Sequence, residues 1–382
     1  MKTDAKKILA LAVDQCTECG TCLEACDHLK IREEAYPGRI ARAALDGAPF
    51  DDIRDLALKC SLCGLCQEVC PEGIDFPRVV QEIRTEFMAE GVTDPEDFRF
   101  LWVDHDWHVY SLYRRAYGLD KAYAPLIKDA CDTLFFPGCM MANDGPELVQ
   151  AAAGWLGRKG DEVGMTLHCC GVPLFHLGLK DRADAYTDRL RAHMEATGAR
   201  RVVTTCPTCQ RQLKQAGLKG PEVVSIYQLM AEAGIRVPVT GGRSVTVHDS
   251  CSDRSGELGR VVRSLLGDYE IREMRHHGAN TLCCGCGGIV PAVDPDTCAG
   301  RAETRLAEVE ETGADLCLTY CTSCAYKLGV HTREKPVRNV LELLFDNPMD
   351  HAAFDEKAYG MWQGEAGEAL AGLLQHSKLA QF

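Results

Sequence analysis

Short apolar runs that break off at a cysteine, each followed by a stretch of helical period, recur through the C-terminal two-thirds of this chain. Residues 133–136, TLFF, read as a strand, with Pro137-Gly138-Cys139 as the turn that ends it. A helix is expected over 145–160, with Gly145 and Pro146 at its start. Residues 199–213, ARRVVTTCPTCQRQL, align with 314–328, ADLCLTYCTSCAYKL, and in each a β-rich run ends at the first cysteine of a C-x-x-C that opens a helix. The segments VVSIYQLM (223–230) and VRNVLELL (337–344) read as corresponding closing helices. Residues 1–15 read as a helix leading into Cys16, residues 96–130 as an aromatic and charged helical connector, and residues 364–379 as a weakly amphipathic helix.

The cysteines sharpen this repeat. Cys139, the pair Cys169-Cys170 and Cys206-Pro-Thr-Cys209 form one set; Cys251, the pair Cys283-Cys284 and Cys321-Thr-Ser-Cys324 form the other. Equivalent positions are offset by 112, 114 and 115 residues, so the two halves are near-equal duplicates with small loop changes. Gly171 and Gly285 follow the pairs, where a missing side chain lets the backbone pass close to a bulky inorganic core. The expected boundaries are 1–95, a connector at 96–130, halves at 131–242 and 243–348, and a tail at 349–382. The two halves are expected to be βα units facing each other across a pseudo-twofold, with ligands at strand ends and helix starts.

Composition narrows the chemistry. A formal net charge of -14 argues against direct nucleic-acid binding, because phosphate contacts need a basic face. No apolar stretch reaches the roughly 20 residues of a membrane helix, so no direct membrane span is expected. Twenty-two cysteines in a chain with this much ordinary helix and strand sequence point to metal ligation in a reducing, cytoplasmic compartment rather than to a disulfide scaffold.

Residues 16–26 and 60–70 carry the bacterial ferredoxin run twice: Cys16, Cys19, Cys22 and Cys26, then Cys60, Cys63, Cys66 and Cys70. Three closely spaced thiolates take three corners of a 4Fe-4S cube, and the fourth cysteine reaches the other cube. Cys16, Cys19, Cys22 and Cys70 are therefore expected to hold one cubane cluster, and Cys60, Cys63, Cys66 and Cys26 the other. Zinc is the competing reading, but it favours two separated C-x-x-C pairs over a third cysteine at the next step. Asp27 stands where the run usually has proline, and the 33 residues between the runs suggest an α-helical two-cluster domain.

Five thiols per half exceed what one cube or one zinc needs, and two adjacent cysteines suit a bridging role in a distorted cluster. The spacings C-x29-CC-x35-C-x-x-C and C-x31-CC-x36-C-x-x-C resemble the cysteine-rich CCG domain of heterodisulfide reductases, and the ferredoxin-first order resembles their D subunits over residues 5–345. That resemblance implies a ferredoxin domain followed by a duplicated α/β CCG domain. It implies a noncubane 4Fe-4S cluster on Cys139, Cys169, Cys170, Cys206 and Cys209, and another on Cys251, Cys283, Cys284, Cys321 and Cys324. It further implies an iron-sulfur oxidoreductase subunit that cleaves a small-molecule or protein disulfide, or oxidises thiols, between the two. Electrons would come from a redox partner: a membrane cytochrome or quinone-linked subunit that could tether the protein to a membrane, or a soluble flavoprotein or hydrogenase module. Similar subunits beside flavin dehydrogenases of 2-hydroxyacids or glycerol 3-phosphate offer the alternative of a pure electron conduit. A structural zinc, or no metal, in the second half also stays open.

Other residues fit bland roles. His168 and His248, near the duplicated cysteines, suit packing or a hydrogen bond to cluster sulfide, with proton donation as the alternative. His105, His108, Trp102 and Trp107 read as structural. Cys131, Cys298 and Cys317 fall outside the ligand patterns, Cys317 as a buried small residue; Cys286 is close enough to a ligand pair to support it from behind. Gly285, Gly287 and Gly288 make no dinucleotide fingerprint, so no flavin or NAD is expected.

Overall fold

The computed structural model describes residues 3–30, 35–47, 50–158, 160–239, 242–332 and 334–381. Its N-terminal part is helical. Ala5, Leu9 and Ala12 form the buried face of helix Thr3–Gln15, which packs on Ile40, Ala41 and Ala44 of helix Pro37–Leu45; the small residues let the two axes approach closely. Met1 and Lys2, at the start of the helix expected there, lie outside the described residues. Each ferredoxin run turns through a left-handed glycine, Gly20 or Gly64, into a short helix, Thr21–Ala25 or Leu65–Glu68. Helix Phe76–Ala89 follows, capped by Asp75 Oδ1, which accepts from Arg78 N at 3.0 Å.

Two four-stranded parallel sheets make up the rest. Strands β1 (Thr133–Phe136), β2 (Val163–Met165), β3 (Arg201–Thr204) and β4 (Glu222–Ser225) lie in the order β2-β1-β3-β4. Strands β5 (Ser244–His248), β6 (Glu270–Ile271), β7 (Leu316–Thr319) and β8 (Val337–Asn339) lie in the order β6-β5-β7-β8. Central strands β1 and β7 are buried along their whole length, which is why their sequences are apolar but for a terminal threonine and show no alternation. The register pairs Phe136 with Thr204 and His248 with Thr319, so equivalent strand ends finish level in both sheets.

The strand ends carry the cysteines as expected: Cys206 caps helix Pro207–Gln215, and Cys321 caps helix Thr322–His331. The closing segments differ from the expectation. Their β-branched first residues complete β4 and β8, and the helices, Ile226–Glu232 and Val340–Phe345, start only after Ser225 and Asn339. Both caps are reciprocal boxes: Asn339 Oδ1 accepts from Leu341 N at 2.9 Å, while Glu342 accepts from Asn339 N at 2.5 Å. The glycines after the cysteine pairs also serve another purpose. Gly171 and Gly285 sit at φ 85° and 93°, and a Cβ on Gly285 would come 2.3 Å from the Cys298 carbonyl oxygen, so protein backbone already requires glycine there.

The connector packs as a helical layer, with helices Val109–Ala116 and Leu119–Tyr123, and the C-terminal tail clamps it. Arg99 donates to Leu374 O at 2.9 Å, Ser377 Oγ accepts from Trp107 N at 2.8 Å, and Tyr113 packs on Phe354 with ring centroids 5.0 Å apart. Trp102 is buried beneath Arg182, whose guanidinium lies 3.9 Å from the ring centroid. Among the described residues no helix is long and apolar enough to cross a membrane.

Candidate metal centres

Two small cavities in the N-terminal domain each gather four ferredoxin-type thiols. A cavity of about 20 Å³ is lined by Cys16, Cys19, Cys22 and Cys70; another of about 60 Å³ is lined by Cys26, Cys60, Cys63 and Cys66. The structure therefore places the last cysteine of each run in the other run's cavity. Burial, then the neighbouring Cys16, Cys70 and Cys19, pushes the Cys22 thiol up to about 11. Burial, then Cys60 and Cys26, holds Cys66 well above the ordinary thiol value. Cys19 is exposed, so the first cavity has one wall at the protein surface.

The second cavity opens toward the duplicated part, since Leu282, Cys283 and Arg301 also line it. A hydrogen bond to Cys283, followed by burial, raises Cys63. This junction is tightly built. Arg84, fully buried, donates to the carbonyls of Ala57, Leu58 and Cys60, to His176 O at 2.6 Å in the first half, and to Gly288 O at 3.1 Å in the second. Gly288 lies so close to this loop that a Cβ would come 2.4 Å from Cys60 O. Arg301 donates to Lys59 O at 2.9 Å, and Lys59 pairs with Asp294 at 2.8 Å.

The ten duplicated cysteines form one connected group. In the first half Cys169 meets Cys139 and Cys170, Cys170 meets Cys209, and Cys209 meets Cys206. In the second half Cys283 meets Cys251 and Cys284, Cys284 Sγ lies 3.3 Å from Cys324 Sγ, and Cys324 meets Cys321. The halves touch through Cys206 and Cys321, and that hydrogen bond, the largest of several causes, pushes Cys321 up to about 12. One ring nitrogen of His248 lies within 4.8 Å of the Cys284 and Cys324 sulfurs.

All 22 cysteines are free. So many buried sulfurs at hydrogen-bonding distance cannot ionise together without a compensating cation, and an iron core supplies that charge. The residues fit such a group on donor chemistry, burial and grouping.

Residues outside the ligand patterns complete the surroundings. Tyr110, from the connector, is partly buried beside Cys139, and desolvation first, then Cys139, Cys169 and Cys286, holds its phenol well above the usual range. Burial pushes Cys317 up to about 12. His168 is brought down to about 4 by burial first and His193 second, which leaves it a neutral neighbour of the first set. Arg84, Arg254, Arg301 and Tyr110 were not singled out by sequence reasoning. Only Arg84 left a trace there: it falls on the same helix face as Val80, Ile83 and Phe87, where a charge is out of place.

A cleft of about 830 Å³ runs between the N-terminal domain and both halves, lined among others by Cys63, His176, Pro207, Arg211, Cys251 and Arg254. Ser252 on its wall is hydrogen bonded to Thr208 of the other half at 2.7 Å.

Residues 12–74 match the 4Fe-4S dicluster domain family, and residues 133–214 and 245–329 both match the cysteine-rich CCG domain family. The chain is 25% identical over 379 residues to the D subunit of the dihydromethanophenazine:CoB–CoM heterodisulfide reductase of Methanosarcina barkeri, covering 85% of this chain and 91% of that protein. It is 25% identical over 360 residues to the B subunit of the fumarate reductase (CoM/CoB) of Methanothermobacter marburgensis, covering 86% and 71%. A hypothetical protein from Helicobacter pylori, known from its crystal structure, shares the fold at 9% identity with a TM-score of 0.51, covering 100% of this chain and 76% of that one.

Proposed function

We propose that this chain, an iron-sulfur protein of the heterodisulfide reductase D type and part of a larger redox complex, reduces a disulfide or oxidises a thiol pair at its duplicated cysteine sets. The observation that carries the proposal is the unbroken line of thiols from Cys63 to Cys283 and from Cys321 to Cys206. In this reading Cys16, Cys19, Cys22 and Cys70 hold one cubane cluster, and Cys60, Cys63, Cys66 and Cys26 the other. Cys139, Cys169, Cys170, Cys206 and Cys209 hold one noncubane cluster; Cys251, Cys283, Cys284, Cys321 and Cys324 hold the second. Bound there, the clusters supply one-electron storage and an iron that can take up sulfur. The domain limits are those expected from the sequence, and equal strand orders in the two sheets support a pseudo-twofold between the halves.

The chain's own groups then define the route. Exposed Cys19 marks the side where a redox partner delivers electrons singly, and the second cavity passes them to the second half before the first. The 830 Å³ cleft admits the disulfide to Cys251 and to the Cys206–Pro207 turn, with Arg211 and Arg254 along its walls. Reduction adds two electrons and two protons, breaks the S–S bond and releases two thiols, with protons drawn from water in the open cleft. A soluble partner, or a membrane protein tethering the chain, suits this layout equally.

Anaerobic reduction of a panel of small disulfides by reduced viologen tests the proposal. Turnover that disappears in both Cys139→Ser and Cys251→Ser supports it. Viologen-reduced clusters that reoxidise with acceptor proteins but with no disulfide would make the chain an electron conduit instead.

A further inference from the structure

The two cysteine sets are duplicates in ligands but not in what stands behind them. Three residues before each lone cysteine, at the end of the central strand, the first half has Phe136 and the second has His248. The helices behind the strands, Lys180–Ala196 and Pro295–Glu311, are both 17 residues long, and at the same position within them stand Leu190 and Arg305. Phe136 and Leu190 belong to an apolar cluster with Cys169, Cys170 and Cys209. At the same two positions the second half has a hydrogen bond instead: Arg305 Nε lies 2.8 Å from His248 Nδ1.

This bond fixes the imidazole. A guanidinium has only donors, so Nδ1 accepts and carries no proton; the ring is neutral and its single proton is on Nε2. Arg305 cannot swing away, because its Nη1 donates to His276 O at 2.8 Å and to Glu308 at 2.5 Å, and its Nη2 to Thr281 Oγ1 at 3.4 Å. His248 is 1% exposed, and its Nε2 has no hydrogen-bond partner among the described residues. A buried N–H without an acceptor is costly, and one ring nitrogen of His248 lies within 4.8 Å of the Cys284 and Cys324 sulfurs.

We propose that His248 is a positioning residue whose Nε2–H donates to the sulfurs of Cys284 and Cys324 and so raises the reduction potential of the second noncubane cluster above that of the first. Hydrogen bonds to cluster sulfurs favour the more negative, reduced form. The second set thus accepts electrons readily from the cube beside Cys63, while the first set, backed by Phe136 and Leu190, stays at lower potential. The inference rests on the cluster assignment above.

The test is an anaerobic redox titration followed by electron paramagnetic resonance, on wild type, His248→Phe and His248→Gln. The second cluster's wave is identified as the one lost in Cys284→Ser. In His248→Phe, which copies the first half, that wave shifts to lower potential by about 59 mV or more, a tenfold change in the oxidised-to-reduced ratio; iron and sulfide content stay unchanged. His248→Gln, which keeps a donor, restores most of the shift. In wild type, an exchangeable proton is coupled to this cluster by electron-nuclear double resonance, a readout that needs no variant to fold. An unmoved wave with the cluster in place, or no exchangeable proton, overturns the proposal. So does a directly coupled nitrogen with loss of iron in His248→Phe, which would make His248 a ligand. A wild-type protein with no wave sensitive to Cys284→Ser fails the cluster assignment itself.

Discussion

Arg254 Nε donates to the carbonyl oxygen of Cys63 across 2.6 Å, tying a ferredoxin loop to the start of the second half. The same guanidinium donates to Thr281 O at 3.2 Å and to Ala279 O, just ahead of the Cys283-Cys284 pair. With Arg84 and Arg301, this side chain holds two of the candidate metal sites together. Arg254→Met should keep all clusters, yet slow electron passage from the cubes to the second half by about tenfold or more, since a small misplacement costs rate steeply. Stopped-flow reduction checks this, and an unchanged rate would show that Arg254 is not needed to hold the two sites together.

Arg84 joins three parts of the chain through backbone carbonyls alone. Arg84→Met leaves several buried carbonyls without donors, at about 1–3 kcal/mol each. The expected loss is about 3 kcal/mol or more, read from anaerobic urea unfolding; Arg84→Lys, with fewer donors, should fall between. A midpoint equal to wild type would contradict the bridging role.

Acid should weaken the fold through His108. Burial first, and the charge of Arg114 second, bring this histidine down to about 3, below its unfolded value near 6.5. Between those pH values the unfolded chain binds a proton that the folded chain refuses, so stability is full above pH 6.5 and falls as pH drops below it. The contribution is about 1.4 kcal/mol per pH unit. Comparing His108→Asn with wild type at pH 7 and pH 5.5 should show a shallower loss in the variant; equal slopes would exclude His108 as the cause.

Cys284→Ser separates the two kinds of site. Cys284 lies 3.3 Å from Cys324 and belongs to the second duplicated set only. The variant should lose about four irons and disulfide turnover while its cubane signals persist. Full activity would sink the account of the duplicated sets.

The parts legible in sequence were those written in local spacing. Ligands three residues apart, such as Cys16, Cys19 and Cys22, declare themselves, and so do strands like β1 and β7, which are buried throughout and carry only a terminal threonine among apolar residues. Strands β2 and β6, three and two residues long, carry too little pattern to be seen. Strands β4 and β8 were hidden because their β-branched residues run straight into amphipathic helices, and only Ser225 and Asn339 mark the change. What joins the sites was not legible at all. Cys206 and Cys321, or His248 and Arg305, meet across long sequence separations, and Arg84 and Arg254 bind backbone carbonyls, which no residue type announces.

The central claim is that substrate sulfur reacts at the duplicated cysteines. Electron paramagnetic resonance of the anaerobically purified protein, oxidised with and without candidate thiols such as coenzyme M and coenzyme B, tests it most directly. The account predicts a new paramagnetic signal that depends on thiol and disappears in Cys284→Ser or its counterpart Cys170→Ser. Signals from reduced cubes alone, unchanged by any thiol, would contradict it and leave a chain that only conducts electrons.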